Sequence, residues 1–276
     1  MSINETQLET LRAHAKDIRI ALVTMLSESP SGHTAGPLGM ADIFSALYFH
    51  ILRHDSKNPG WSERDRLILS NGHICPVQYV AMAHSGYFET DELKTLRRFG
   101  SRLQGHPERT KLPGVETTSG PLGCGLGQAS GIAIGARMDK NFCSVFCILS
   151  DGEHDEGNVW ESAMFAAKEK LERLIVIVDR NDIQISGKTS DIMPLEPLAK
   201  KYESFGWRVI EVDGNDISAF VVAVEHAKVV DGRPTVIIAH TTPGKGVFEI
   251  EGNYEWHGRV PTKEEAQRFI ASIKND

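Results

Sequence analysis

Between residues 143 and 240 the chain repeats one pattern: a short, near-continuous apolar run, then a stretch of helical length. The runs at 143–149, 174–179, 208–212 and 235–240 are rich in Val, Ile and Leu and show little alternation of apolar with polar residues. Strands of that kind are buried on both faces. The intervening segments 158–170, 194–205 and 217–229 suit crossover helices. Strands alternating with such helices make βαβ units and a parallel sheet, so the expected fold class is α/β, a doubly wound, mostly parallel sheet flanked by helices.

The first half is less regular. Leu8, Leu11, Ala15, Ile18, Leu22 and Met25 recur at helical spacing and predict a helix over 5–28. Further helices are expected at 40–53, from 73 to Gly86, and at 91–99, with a buried strand at 66–70. A stretch rich in Gly, Ser and Thr, 100–127, leads into a small-residue helix at 129–138. Gly127, Gly131 and Gly135 fall at four-residue intervals, which predicts close packing in the core or at a subunit contact. No linker divides the chain, so residues 1–276 are expected to form one domain.

Composition bounds the partners. A formal net charge of −7 gives no nucleic-acid or membrane-surface footprint. The start of the chain lacks a basic segment followed by an apolar one, and no run of about 18 apolar residues occurs. Cys75, Cys124, Cys143 and Cys147 form no C-x-x-C pair, which points to a reducing cytoplasm without disulfides or structural zinc.

In a doubly wound sheet, ligands bind beyond the carboxyl ends of the strands. Two segments leave expected neighbouring strands there, Ser150-Asp151-Gly152-Glu153-His154 and Asp179-Arg180-Asn181-Asp182-Ile183. A carboxylate and a carboxamide brought together are hard oxygen ligands suited to Mg2+ or Ca2+, with phosphates completing the shell. Gly152 allows a sharp turn and close approach to a phosphate. On spacing alone, Asp151 and Asn181 read equally well as turn residues at strand ends.

Asp151-Gly152 followed thirty residues later by Asn181 resembles the thiamine-diphosphate-binding motif of transketolases, decarboxylases and their relatives. Ser31-Gly32-His33, Leu69-Ser70-Asn71-Gly72-His73, Gly105-His106-Pro107-Glu108, Thr118-Ser119-Gly120-Pro121-Leu122-Gly123, Lys201 to Trp207 and Trp256-His257-Gly258 are similar to transketolase signatures, in that family's order. The resemblance covers about residues 10–265. It implies that Asp151, Asn181 and the carbonyl of Ile183 hold the divalent ion, Mg2+ or Ca2+, that anchors thiamine diphosphate. It implies a catalytic histidine cluster of His33, His73, His106 and His257. His73, Gly120, Leu122, Gly152, Glu156 and Asn181 are implied at the cofactor, Glu156 also at a dimer interface, where an exposed carboxylate at a helix start is an equal reading. Histidine suits proton transfer among sugar hydroxyls because its pKa lies near neutrality.

Two departures stand out. Asp182 replaces a common second Asn, and Thr34 follows His33 where transketolases usually carry Pro, which bears on donor preference. Cys124 is assigned no role, and His154 is left open. The pattern also ends where a transketolase would continue into pyrimidine-binding and C-terminal domains, the first of which carries the glutamate that activates the cofactor. The expectation is a split enzyme: this chain and a separate C-terminal subunit, together α2β2, transferring a two-carbon ketol unit between sugar phosphates. The alternatives are half of another thiamine-diphosphate enzyme, of deoxyxylulose-phosphate-synthase or dehydrogenase type, and a non-catalytic cofactor-binding remnant. Trp256-His257-Gly258 and Gly105-His106-Pro107-Glu108 argue against the first, and the intact set of motifs argues against the second.

Overall fold

The computed structural model describes residues 3–229 and 231–275. Five parallel strands form the central sheet: β1 (Arg66–Leu69), β2 (Val145–Ser150), β3 (Leu174–Arg180), β6 (Arg208–Asp213) and β7 (Thr235–His240), in the order β1-β2-β3-β7-β6. Two short strands, β4 (Ile183–Gln184) and β5 (Gly187–Lys188), make an antiparallel hairpin directly after β3. The sequence pattern predicts only a loop in that stretch, because strands two residues long are too short to show a period.

The helices are α1 (Glu5–Glu28), α2 (Ala35–Gly39), α3 (Ala41–Ala46), α4 (Cys75–His84), α5 (Cys124–Met138), α6 (Gly157–Lys168), α7 (Thr189–Ile192), α8 (Leu198–Ser204), α9 (Ile217–Ala227) and α10 (Lys263–Asn275). Asn4 caps α1: its side chain accepts from the amide of Gln7, and the Gln7 side chain accepts from the amide of Asn4. This reciprocal pair satisfies two amides that a helix start leaves free. The helix expected over 40–53 is α3 followed by a π-turn at Leu47–Ile51, and the one expected over 91–99 is a 3-10 helix at Thr90–Thr95. Both are local changes of hydrogen-bond register that leave the apolar spacing nearly unaltered.

Strand residues alternate between two cores. Leu67, Leu69, Phe146, Ile148, Ile175, Ile177 and Ile237 pack beneath α1, α3, α4, α9 and α10. Ile68, Val145, Cys147, Leu149, Val176, Val178 and Ile238 pack against α5, α6 and α8. Both sheet faces are covered, which is why these strands read as unbroken apolar runs.

Candidate functional site: the carboxyl edge of the sheet

The segments that leave β1, β2 and β3 turn toward one another at the carboxyl edge. β2 ends at Ser150, and Asp151 follows with its carboxylate buried. Asp151 Oδ1 accepts from the amide of Gly152 at 2.7 Å and Oδ2 from the amide of Asp182 at 2.7 Å. The second bond draws the 181–183 segment onto the carboxylate, helped by a positive φ of 63° at Asp182. A Cβ on Gly152 would stand 2.7 Å from the Gln184 side-chain nitrogen, so a larger residue there would have to push the Gln184 side chain aside. Asn181 is fixed by Asp179: its Nδ2 donates to Asp179 Oδ2 at 2.9 Å, and its Oδ1 accepts from the amide of Ile183 at 3.1 Å.

The donor set fits a small hard cation. A carboxylate or carboxamide oxygen has about two acceptor directions. Asp151 Oδ1 and Asn181 Oδ1 each use one on a backbone amide, which leaves one each for a metal. Among the described residues no group of three His, Cys, Asp or Glu forms a metal cluster, and an Asp–Asn–carbonyl set contains only one such residue.

Burial governs the ionisation here. It raises Asp151 to about 6 against the pull of Arg180 and the two amides. It raises Asp179 to about 7, with Asp151 adding to the effect and the bonds from Thr241 and Asn181 opposing it.

The four motif histidines meet. The rings of His33 and His73 lie 5.0 Å apart between centroids, and His257 is 5.2 Å from each. His106 stands beside them: Cβ atoms built on Gly72 and Gly120 would lie 3.3 Å and 3.8 Å from its ring. Burial lowers the pKa of His33 to about 3, reinforced by His257, Arg97 and His106, and holds His73 well below its ordinary value. His106 and His257 shift the same way, again chiefly by burial. At neutral pH the cluster is uncharged, so each ring offers one donor and one acceptor nitrogen.

In and next to this cluster several buried polar atoms have no protein partner, His33 Nδ1, both amide atoms of Asn71 and Ser119 Oγ, and so does Asn158 Oδ1 beside Gly123. Buried polar groups are ordinarily hydrogen-bonded, so unpartnered atoms this near the histidines mark a place made for a polar ligand. Gly120 has a φ of 155° and Gly123 a φ of 80°, where Gly123 caps α5. Leu122 is half-buried in that loop, and Glu156 is exposed beside Gly123.

Sequence reasoning passed over three residues that hold the site. Glu153 is buried; its Oε1 accepts from the amide of Gly123 at 2.5 Å and from Ser70 Oγ, and its Oε2 from the amide of Ser150 at 3.1 Å. One carboxylate thus ties together the ends of β1 and β2 and the start of α5. Arg97 lies over Gly105, donating to its carbonyl at 3.1 Å and to Ser31 Oγ at 3.0 Å. A Cβ on Gly105 would stand 2.9 Å from Arg97 Nε, so a larger residue there would displace the guanidinium. Arg180 reaches Asp151 itself. Each reads in the sequence as a solvated charge. His154, left open, is buried among Tyr202, Trp160 and the carbonyls of Ser150 and Asp151, so it supports the turn from beneath.

Known proteins are similar to this chain in sequence and fold. Residues 10–273 match the family described as transketolase, thiamine diphosphate binding domain. The 6-deoxy-6-sulfo-D-fructose transketolase subunit of Clostridium sp. (strain MSTE9) is 39% identical over 99% of both chains. An apulose-4-phosphate transketolase subunit of Actinobacillus succinogenes is 40% identical over 97% of both. Among solved structures, transketolase from Leishmania mexicana superposes with a TM-score of 0.90 at 36% identity, covering 96% of this chain and 41% of that one. The chain therefore spans about two fifths of a long transketolase and nearly the whole of the proteins called subunits. With the parallel sheet, the converging histidines and a match of that extent in agreement, the chain belongs to the transketolase family and is its thiamine diphosphate binding domain.

Proposed function

We propose that residues 1–276 act as a single-domain subunit of a two-subunit transketolase, binding thiamine diphosphate and a divalent cation and completing its active site with a separate C-terminal subunit. The observation that carries this reading is the convergence of three histidine rings within 5.2 Å beside unpartnered buried polar atoms. The near full-length similarity to proteins named as subunits supports the division into two chains.

In this reading Asp151 and Asn181, through side-chain oxygens, and Ile183, through its carbonyl, hold Mg2+ or Ca2+. His73, Gly120, Leu122, Gly152, Glu156 and Asn181 border the cofactor. Thiamine diphosphate supplies the electron sink that lets a carbon–carbon bond beside a ketone break. His33, His73, His106 and His257 orient the sugar hydroxyls and move their protons, for which neutral imidazoles are ready as acceptors. The substrates are ketoses with an anionic group far from the carbonyl. The relatives named for 6-deoxy-6-sulfo-D-fructose and apulose-4-phosphate, one sulfonated and one phosphorylated, favour that class. The partner supplies the activating glutamate and the anion-binding residues, and the assembly is α2β2 in the cytoplasm. No described helix is long and apolar enough to cross a membrane.

The test is ketol transfer from a ketopentose phosphate or a sulfonated ketohexose to an aldose phosphate, with thiamine diphosphate and Mg2+. This chain, the product of a neighbouring reading frame, and their mixture are compared. Turnover in the mixture alone is the expected result; turnover by this chain alone would show that the partner glutamate is not needed.

A further inference from the structure

The metal-binding segment already contains a cation. Arg180 ends β3, one residue before Asn181, and its guanidinium is buried. Nη1 donates to Asp151 Oδ2 at 3.0 Å and to Thr189 Oγ1 at 3.0 Å, and it also meets the Asp182 carboxylate. Nε and Nη2 both donate to Glu196 Oε1, at 3.2 Å and 3.0 Å. Asp151 Oδ2 thus receives Arg180 and the amide of Asp182, which uses both of its acceptor directions.

We propose that Arg180 competes with the divalent cation for Asp151 and so sets how tightly the metal is held. This rests on the reading of Asp151, Asn181 and Ile183 as metal ligands. A buried carboxylate without a counter-charge is costly, and here Asp179 adds a second acid nearby. The guanidinium neutralises Asp151 and ties the 180–196 segment to it when no metal is bound. A divalent ion arriving at the free direction of Asp151 Oδ1 meets a like charge already held on the other oxygen of the same carboxylate. Of its other partners Thr189 is buried, but Asp182 and Glu196 lie on the solvent side, their carboxylates 66% and 61% exposed. The guanidinium can therefore leave Asp151 while keeping its bonds to Glu196. One anion serves two cations in turn: the site stays ordered without metal and releases metal more readily than a bare Asp–Asn pair.

The experiment titrates the full-length chain with Mn2+ alone, reading free Mn2+ by electron paramagnetic resonance, and melts each variant with and without Mn2+. Arg180→Met is expected to bind Mn2+ about tenfold more tightly than the parent chain, the lower end of what one charge at this range does to an ionic equilibrium. Its melting temperature should fall without Mn2+ and recover with it. Arg180→Lys, which keeps the charge, should stay near the parent affinity. Glu196→Gln, which removes the alternative anchor and leaves every Asp151 contact in place, should bind Mn2+ more weakly and carries the test should Arg180→Met fail to fold. Affinity in Arg180→Met equal to or weaker than the parent, or unchanged affinity in Glu196→Gln where only that variant folds, overturns the proposal. Parent-like Mn2+ affinity in Asp151→Asn overturns the ligand reading itself, and the competition with it.

Discussion

At the scale of single residues, chemistry here is decided by how burial treats charge. His33 titrates near 3 in the fold because its ring is desolvated and surrounded by other bases. In the unfolded chain it returns to about 6.5. The folded state then binds fewer protons than the unfolded state between those values, so stability rises with pH through that window. The contribution of His33 is fully present above about pH 6.5 and is lost as the pH falls toward 3. Asp151 and Asp179, raised to about 6 and 7, act oppositely: their folded carboxyls keep protons that the unfolded chain releases. They cost stability as the pH rises from their unfolded values toward 7. His33→Gln should therefore lose less stability than the parent chain on going from pH 7 to pH 5. Urea midpoints at the two pH values measure this, and parallel losses would mean that His33 is not held neutral. The histidines were legible in the sequence because each sits in a recognisable short motif. Glu153 and Arg180 were not: a charge in a loop looks the same whether the fold buries it or leaves it in water.

At the scale of elements, strands and helices were easier to read than the way they touch. Strand β2 is apolar from Val145 to Leu149 because both faces are covered, and helix α1 announces its buried face by spacing. The approach of α5 to the end of β1 carries no such periodic signal, and the start of α5 was expected five residues later than it is. Gly125 is the point of contact. Its amide donates to Ser70 Oγ at 2.9 Å, and a Cβ there would stand 2.7 Å from the Cα of Ser70. Backbone meets backbone, so neither side can yield by a rotamer change. Gly125→Ala should destabilise the chain by about 1–3 kcal/mol, the usual cost of forcing atoms into a filled space. It should also separate Ser70 from Glu153 and loosen the loop that carries Asn71 and His73. Thermal melting and hydrogen exchange at residues 69–74 follow the two effects; a melt like that of the parent chain would show that α5 can shift without penalty.

At the scale of the molecule, the two sides of the sheet are unequally clothed. Five helices, α1, α3, α4, α9 and α10, bury one face deeply, while α5, α6 and α8 cover the other in a thinner layer. The outer surface of that layer carries Met138, Met164 and Phe165, which are 76%, 51% and 44% exposed. Gly131 and Gly135 belong to the same layer, and a Cβ on either would meet nothing within 4 Å. The expectation of close packing is therefore corrected for these two glycines within the chain: only Gly127 approaches a neighbour, the Ser162 hydroxyl of α6, at 3.2 Å from a built Cβ. Bare glycine inside a helix is unfavourable by about 0.5–1 kcal/mol relative to alanine, so its presence twice on one open face is accounted for by the proposed α2β2 assembly, in which a second copy would lie close against α5. Two measurements on the double variant Gly131→Ala with Gly135→Ala separate the possibilities. As an isolated monomer it should be more stable than the parent by about 1–2 kcal/mol, from helix propensity alone. In sedimentation its self-association should weaken, because two added methyl groups would hold the facing copies apart. A higher melting temperature with unchanged association would place that face in solvent and move the pairing of copies elsewhere on the fold.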